Sequence, residues 1–405
     1  MKQLKTEKKA YQIHSLRRIT SLFVIGLLLP VGCIQRGGDS ASVTKEADSL
    51  LIQQRREARE DSLELAQARK AQANFAHKLQ AAVETDPVAS LEGEDAADDP
   101  AIWVNERHPE RSLILGTNKT GGLNVYDLSG KELQERSIGN ANNVDLRDGF
   151  SLNGKEVTLV ATSNRSINAV SLLTLDPATG ILSDTLLNIP SLVDEVYGLC
   201  LFRDSKTNAY FVFVNGKDGN VEQWLIRDTG GLSGELVRTF SVNSQPEGMV
   251  ADDQHRLLYI GVEEEGIYVT GAGGSEPAGL KFIPGSGRMN DAIEFDIEGL
   301  SIFSHNGHQY LLASSQGNFS YALFAIGETT AYLASFVISD GMIDGAEETD
   351  GLDITTASLP APFNDGLLVV QDGYNVDGEQ AKNQNFKLVP MTGVRELLDR
   401  IQMAD

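Results

Sequence analysis

The chain has 405 residues, more than one average domain, yet a closed all-β repeat can reach that size as a single body. Its 57 acidic residues outnumber 34 basic ones, leaving a formal net charge of -23. That sign opposes the counterion release on which nucleic-acid binding depends, which excludes DNA and RNA as expected partners; it is compatible with attraction of divalent cations or with plain solubility.

In chain order, Lys2, Lys5, Lys8, Lys9, Arg17 and Arg18 precede an apolar run from Ile19 through Leu29. The run is too short to span a bilayer, and residues 1–32 are predicted to be an export signal of a bacterial protein that is secreted or held at the cell envelope. It ends in Pro30, Val31, Gly32 and Cys33, which resembles a bacterial lipobox with Pro30 in the usual leucine place. Lipidation of Cys33 and membrane attachment through it are expected, with simple cleavage and release as the alternative. The other cysteine, Cys200, lies in an apolar stretch and is predicted to be a small core residue without a disulfide.

Residues 33–85 are predicted to be a helical stalk or linker. From Ala41 to Glu84 the sequence is rich in Glu, Arg, Gln, Lys and Ala and lacks Gly and Pro. Leu63, Ala68, Ala71, Phe75, Leu79 and Ala82 make a weak stripe at helical spacing. Such a stalk can space the next domain from a membrane, pack on its side or stand solvated, and it is expected to be dispensable for chemistry.

From residue 86 to 405 the texture becomes short Val, Ile, Leu, Tyr and Phe runs punctuated by Gly, Asn and Asp, which predicts strands and turns. Acidic or amide residues lead into an apolar run at Asp98-Asp99, Asn142-Asn143, Asp194-Glu195, Pro246-Glu247, Asp296-Ile297-Glu298 and Asp350. Starting positions 98, 142, 194, 246, 296 and 350 give steps of 44 to 54 residues, a blade-length period. A second apolar run follows each and breaks at a polar tip: Asn118-Lys119, Asn164-Arg165, Gly216-Lys217-Asp218, Glu263-Glu264-Glu265, Gln316-Gly317-Asn318 and Gln371-Asp372-Gly373. The expected fold is an all-β six-bladed β-propeller. The start of each inner strand and the end of the next then lie at the same end of the sheet, so both series ring one mouth of the central channel.

Carboxylates converging on one surface repel one another unless cations neutralise them. Oxygen ligands without His or Cys suit a hard cation such as calcium rather than zinc. Lys119, Arg165 and Lys217 are then natural oxyanion partners, the alternative being plain neutralisation of neighbouring acids.

These segments, with Leu152-Asn153-Gly154-Lys155, Asn243-Ser244-Gln245, Ala313-Ser314-Ser315 and Asn383-Gln384-Asn385-Phe386-Lys387, resemble the β-propeller phytases, also called alkaline phytases, from about Asp86 to Thr392. The resemblance implies a calcium-dependent 3-phytase that hydrolyses phytate, as its calcium complex, to lower inositol phosphates. It implies metal ligation by Asp98, Asp99, Glu247, Glu263, Asp296, Glu298, Gln316, Asp350 and Asp372. Lys119, Arg165, Tyr197 and Lys217 are implied to contact phosphate and to serve catalysis, with Asp218 beside them in substrate binding. Thr120 stands where a second lysine is frequent, Asp218 where Glu is, and Val262 where an acidic residue is common; Val262 offers no oxygen ligand.

The expected mechanism is in-line attack on phosphorus by a calcium-activated water, without a covalent enzyme intermediate. No Gly-x-Ser-x-Gly elbow, Cys-x5-Arg loop or Arg-His-Gly run is present in the sequence. The rivals are another calcium-assisted propeller hydrolase such as a lactonase, and a non-catalytic propeller that binds a partner. A monomer is expected.

Overall fold

A computed structural model describes residues 59, 62–91, 93–274 and 279–403. Residues 1–32 and Cys33 lie outside the described residues, and no described helix is long and apolar enough to cross a membrane. The strands form six blades whose order in space follows the chain, each running from its inner strand outwards. The inner strands are Ala97–Trp103, Ala141–Leu152, Val196–Arg203, Pro246–Asp252, Ile297–His305 and Leu352–Thr355. Each touches the next around the axis, and the last returns to the first, which closes the propeller.

Burial along each blade follows from this packing. Second strands such as Leu113–Asn118 and Tyr210–Gly216 are buried at every residue, because neighbouring blades cover both faces. The outer strand Glu132–Ser137 instead alternates half-buried and exposed residues, as its sequence ELQERS suggests. Hydrophobic clusters fill the wedge between every pair of successive blades, including the sixth and the first. Cys200 is a free, buried thiol in the cluster between the third and fourth blades.

The stalk reading fails over residues 74–85. A helix covers 62–73, but Lys78–Leu79 then adds a parallel strand outside Ala331–Ile338 of the fifth blade. Val83–Glu84 pairs with Asn385–Pro390 and becomes the outermost strand of the sixth blade. An open blade edge offers unpaired backbone groups, and pairing them outweighs the helical propensity of this Ala-rich stretch. The helix itself lies on the propeller: Arg69 forks onto Glu347 at 2.7 Å, its guanidinium stands 5.6 Å from the Tyr374 ring centroid, and Gln72 donates to the Ala346 carbonyl at 3.0 Å. The C-terminal helix Thr392–Gln402 buries Val394, Leu397 and Leu398 against the last two blades.

Candidate active site at the channel mouth

The first five inner strands share one irregularity. Register slips between Ala97 and Pro100, Ala141 and Val144, Val196 and Leu199, Pro246 and Met249, and Ile297 and Leu300. Each slip is a bulge, which lifts two residues out of the ladder and re-aims their side chains. The first lifted residues are Asp98, Asn142, Tyr197, Glu247 and Glu298, and Asp350 precedes the sixth inner strand at the corresponding place. From the third blade onward a glycine follows this residue and lets successive blades touch: a Cβ on Gly198 would sit 1.8 Å from the Glu247 carbonyl oxygen, and one on Gly248 2.0 Å from that of Glu298.

A second ring comes from the residues that follow each second strand: Lys119, Arg165, Lys217, Glu263, Gln316 and Gly373. One hairpin-closing bond recurs at this position, from the amides of Lys119, Arg165, Glu263 and Gln316 to the carbonyls of Ala96, Asn140, Gln245 and Asp296. The mouth is therefore polarised. Cations sit on the first three blades, and the densest carboxylates on the fourth and fifth.

On the acidic side, Glu247, Glu263 and Glu298 are buried and bring carboxylate oxygens within 4.8 Å of one another. Burial, then the charges of Glu247 and Asp296, pushes Glu263 up to about 9. Burial and Glu247 likewise push Glu298 well above the carboxylate range, and its Oε2 accepts no hydrogen bond. Asp98 is fully buried, neither of its oxygens accepts a hydrogen bond, and Lys119 Nζ stands 3.7 Å away. Asp350 accepts from Lys119 at 2.7 Å and from Gln316; burial lifts it to about 7 despite that lysine. Crowded, unsatisfied carboxylate oxygens with no nitrogen or sulfur ligand fit a hard cation.

On the basic side, Arg165 and Lys217 both reach the ring of Tyr197, at 5.8 and 4.8 Å from its centroid. Both also bind one oxygen of Glu195, Lys217 at 3.1 Å. Asn142 joins the halves by donating to Glu247 at 3.0 Å and accepting from Arg165 at 3.4 Å.

The sequence model of the Phytase family matches residues 48–404. The chain belongs to the phytase family. The 3-phytase of Bacillus subtilis (strain 168) is 46% identical over 324 residues, 77% of this chain and 83% of that protein. Family membership at this identity makes the chain an enzyme that hydrolyses phytate. Among solved structures, a functionally unknown protein from Desulfotomaculum acetoxidans DSM 771 shares 17% identity over 61% of this chain and 74% of that chain, with a TM-score of 0.41, too partial a likeness to bear on fold or chemistry.

The mouth of this phytase gathers most of the residues singled out in the sequence, with exceptions. Asp372 ends the second strand of its blade one residue before the ring position, and its carboxylate lies 3.3 Å from buried Lys387. Asp99 lies along the central channel, a cavity of about 370 Å³, where it accepts the Val144 amide at 3.0 Å. Asp145 and Asp353 repeat that bond toward Leu201 and Ile102, so these aspartates tie three of the six successive pairs of inner strands together. Asp296 is half-buried and its charge acts on Glu263 and Glu298. Asp218 is exposed and accepts from Asn220 within its own turn. Thr120 donates to Asn118 at 2.7 Å, and Val262 is fully buried in the core between the third and fourth blades. Sequence reasoning assigned no role to Asn142 or Glu195, although both belong to the repeat series at the mouth; the left-handed backbone of Glu195 (φ 57°) has no sequence signal.

Proposed function

We propose that this phytase holds calcium at the mouth with Glu247, Glu263, Glu298, Asp98, Asp350, Asp296 and Gln316, and binds phytate phosphates with Arg165, Lys217, Tyr197 and Lys119. The observation that carries this reading is the buried trio of glutamates with an unsatisfied oxygen, set beside two cations on one aromatic face. Calcium, when bound, supplies positive charge against the phosphate dianion and eases deprotonation of the attacking water. The chain's own residues do the rest. Arg165 offers a planar fork to two phosphoryl oxygens, and Lys217 a point charge beside it. Tyr197 carries both cations on its ring and keeps a neutral hydroxyl, since burial and the surrounding glutamates hold it well above its ordinary value. Lys119 is committed to Asp350, Asp95 and Asp98, so its share in phosphate binding depends on how cations redistribute those acids. Asp99 and Asp372 hold the framework in this reading, and Asp218 its own turn.

Calorimetric titration of calcium into chelator-treated protein tests the assignment. Glu298→Gln should lose at least one binding event or weaken it about tenfold or more, as expected when one carboxylate leaves a site whose affinity depends on ligand charge. Unaltered calcium binding would contradict it. Export by residues 1–32 and lipid attachment at Cys33 belong to the same proposal; incorporation of labelled fatty acid that Cys33→Ser abolishes would support attachment, and its absence in the parent chain would favour plain secretion.

A further inference from the structure

Glu195 occupies the space between the two cations of the proposed phosphate seat. Arg165 and Lys217 converge on the same carboxylate oxygen, Oε1, while both lie against the face of Tyr197. The two cations are mostly shielded, with side chains 21% and 27% exposed, whereas Glu195 is 43% exposed and stands on a bend just before the strand that starts at Val196. Its removal from the seat would therefore disturb no hydrophobic cluster. The electrostatics agree: although burial pushes the Glu195 carboxyl up, hydrogen bonds from Arg165 and Lys217 hold it below its usual value, so it is an anion wherever the enzyme is folded and near neutral pH.

We propose that Glu195 is a built-in substitute for phosphate, a carboxylate plug that fills the oxyanion seat when no phosphoryl group is present and swings out when one enters. The inference rests on the reading of Arg165 and Lys217 as phosphate ligands. With the plug in place the seat carries about one net positive charge; with it displaced, two, which matches a phosphate dianion. A carboxylate engages both cations through one oxygen here, whereas a phosphoryl group presents three and satisfies each cation separately. The plug keeps two like charges from facing each other unscreened in the empty enzyme, and it sets a threshold that favours doubly charged phosphate over weaker anions. A seat that is closed most of the time binds with an apparent affinity reduced by its open fraction.

Calorimetric titration of inorganic phosphate into the full chain at fixed calcium reads this directly. Glu195→Gln keeps the shape but not the charge, and should bind phosphate about fivefold or more tightly than the parent, because the competing closed state is lost. It should also lower KM for phytate with little change in kcat. A purely structural role for Glu195 predicts the opposite sign, since unpaired cations would splay and bind phosphate less well. Phosphate affinity that is unchanged or weaker in Glu195→Gln, at an unchanged melting temperature, overturns the plug. The same titration with Lys217→Met and Arg165→Ala separates the two layers: if both bind phosphate like the parent, the seat itself is misassigned; if both lose binding while Glu195→Gln does not tighten, the seat stands and only the competition fails.

Discussion

Arg165 carries the sharpest claim about a single side chain. Its guanidinium stands over Tyr197 and reaches toward Asn142, and lysine can reproduce its charge but neither the stacking nor the fork. Arg165→Lys should therefore fold and bind calcium normally but release phosphate from phytate about tenfold more slowly, the loss of ~1.4 kcal/mol of transition-state stabilisation. Steady-state kinetics equal to the parent would reduce Arg165 to a charge-balancing residue. At this scale the sequence was informative where the repeat was strict. Lys119, Arg165, Lys217, Glu263 and Gln316 all follow a second strand, and all reach the mouth. Asp372 looks equivalent in the sequence, yet it sits one residue earlier, and in a strand one residue reverses the face. The repeat brings Glu195 to the mouth, but its contact with Arg165 and Lys217 was opaque because it depends on a left-handed backbone and on two cations from other turns.

Among the elements, the segment before residue 86 behaves least as its composition suggests. Its Ala and Glu content predicts one helix through Glu84, but an open blade edge exists only in the folded propeller, so the strands at 78–79 and 83–84 could not be foreseen from local propensity. They are secured by a buried centre. Lys387 is fully buried and its ammonium meets Glu84 at 2.6 Å, Asp372 at 3.3 Å, Asn375 at 3.2 Å and Asp344. Burial pulls the Lys387 ammonium down, but these three carboxylates raise it above its ordinary value, so it stays charged. Lys387→Met strips the charge from buried acids and should lower stability by about 3–5 kcal/mol, as for breaking a buried ion pair from one side; denaturant unfolding checks this. Truncation gives a second test. Deleting residues up to 61 should leave melting and turnover unchanged, whereas deletion through Glu84 removes the outermost strands of two blades and should lower the melting temperature by several degrees. Equal melting of both truncations would show that the strand closure contributes nothing.

For the whole molecule, the sixfold period was legible because every blade repeats the same pattern of acidic or amide lead, apolar run and polar tip. The convergence of both series on one mouth was legible as well, since it requires only strand order and the shared end of inner and second strands. What the sequence left open was the strength of repulsion among the glutamates, which depends on burial. That repulsion has a sign. Without metal, Glu263 is raised from its ordinary 4.5 to about 9, so its folded form holds a proton that the unfolded form has lost. Its contribution to stability is complete below pH 4.5 and disappears as pH rises through about 9. Glu298, raised well above its ordinary value, adds in the same direction. Chelated protein should accordingly melt at progressively lower temperature from pH 5 to pH 9, and calcium should restore more at the upper end of that window, because the ion replaces protons that are then scarce. A melting temperature independent of both pH and calcium would mean that the trio is merely hydrated.

All of these expectations meet in one reaction. Phosphate release from phytate should be measured on a single preparation, first stripped with excess chelator, then titrated with calcium, with Glu298→Gln run in parallel. The structure leads us to expect no release without calcium, recovery on its return, and a response in Glu298→Gln displaced to higher calcium. Full activity in excess chelator would contradict the assignment of the acidic mouth as a metal centre.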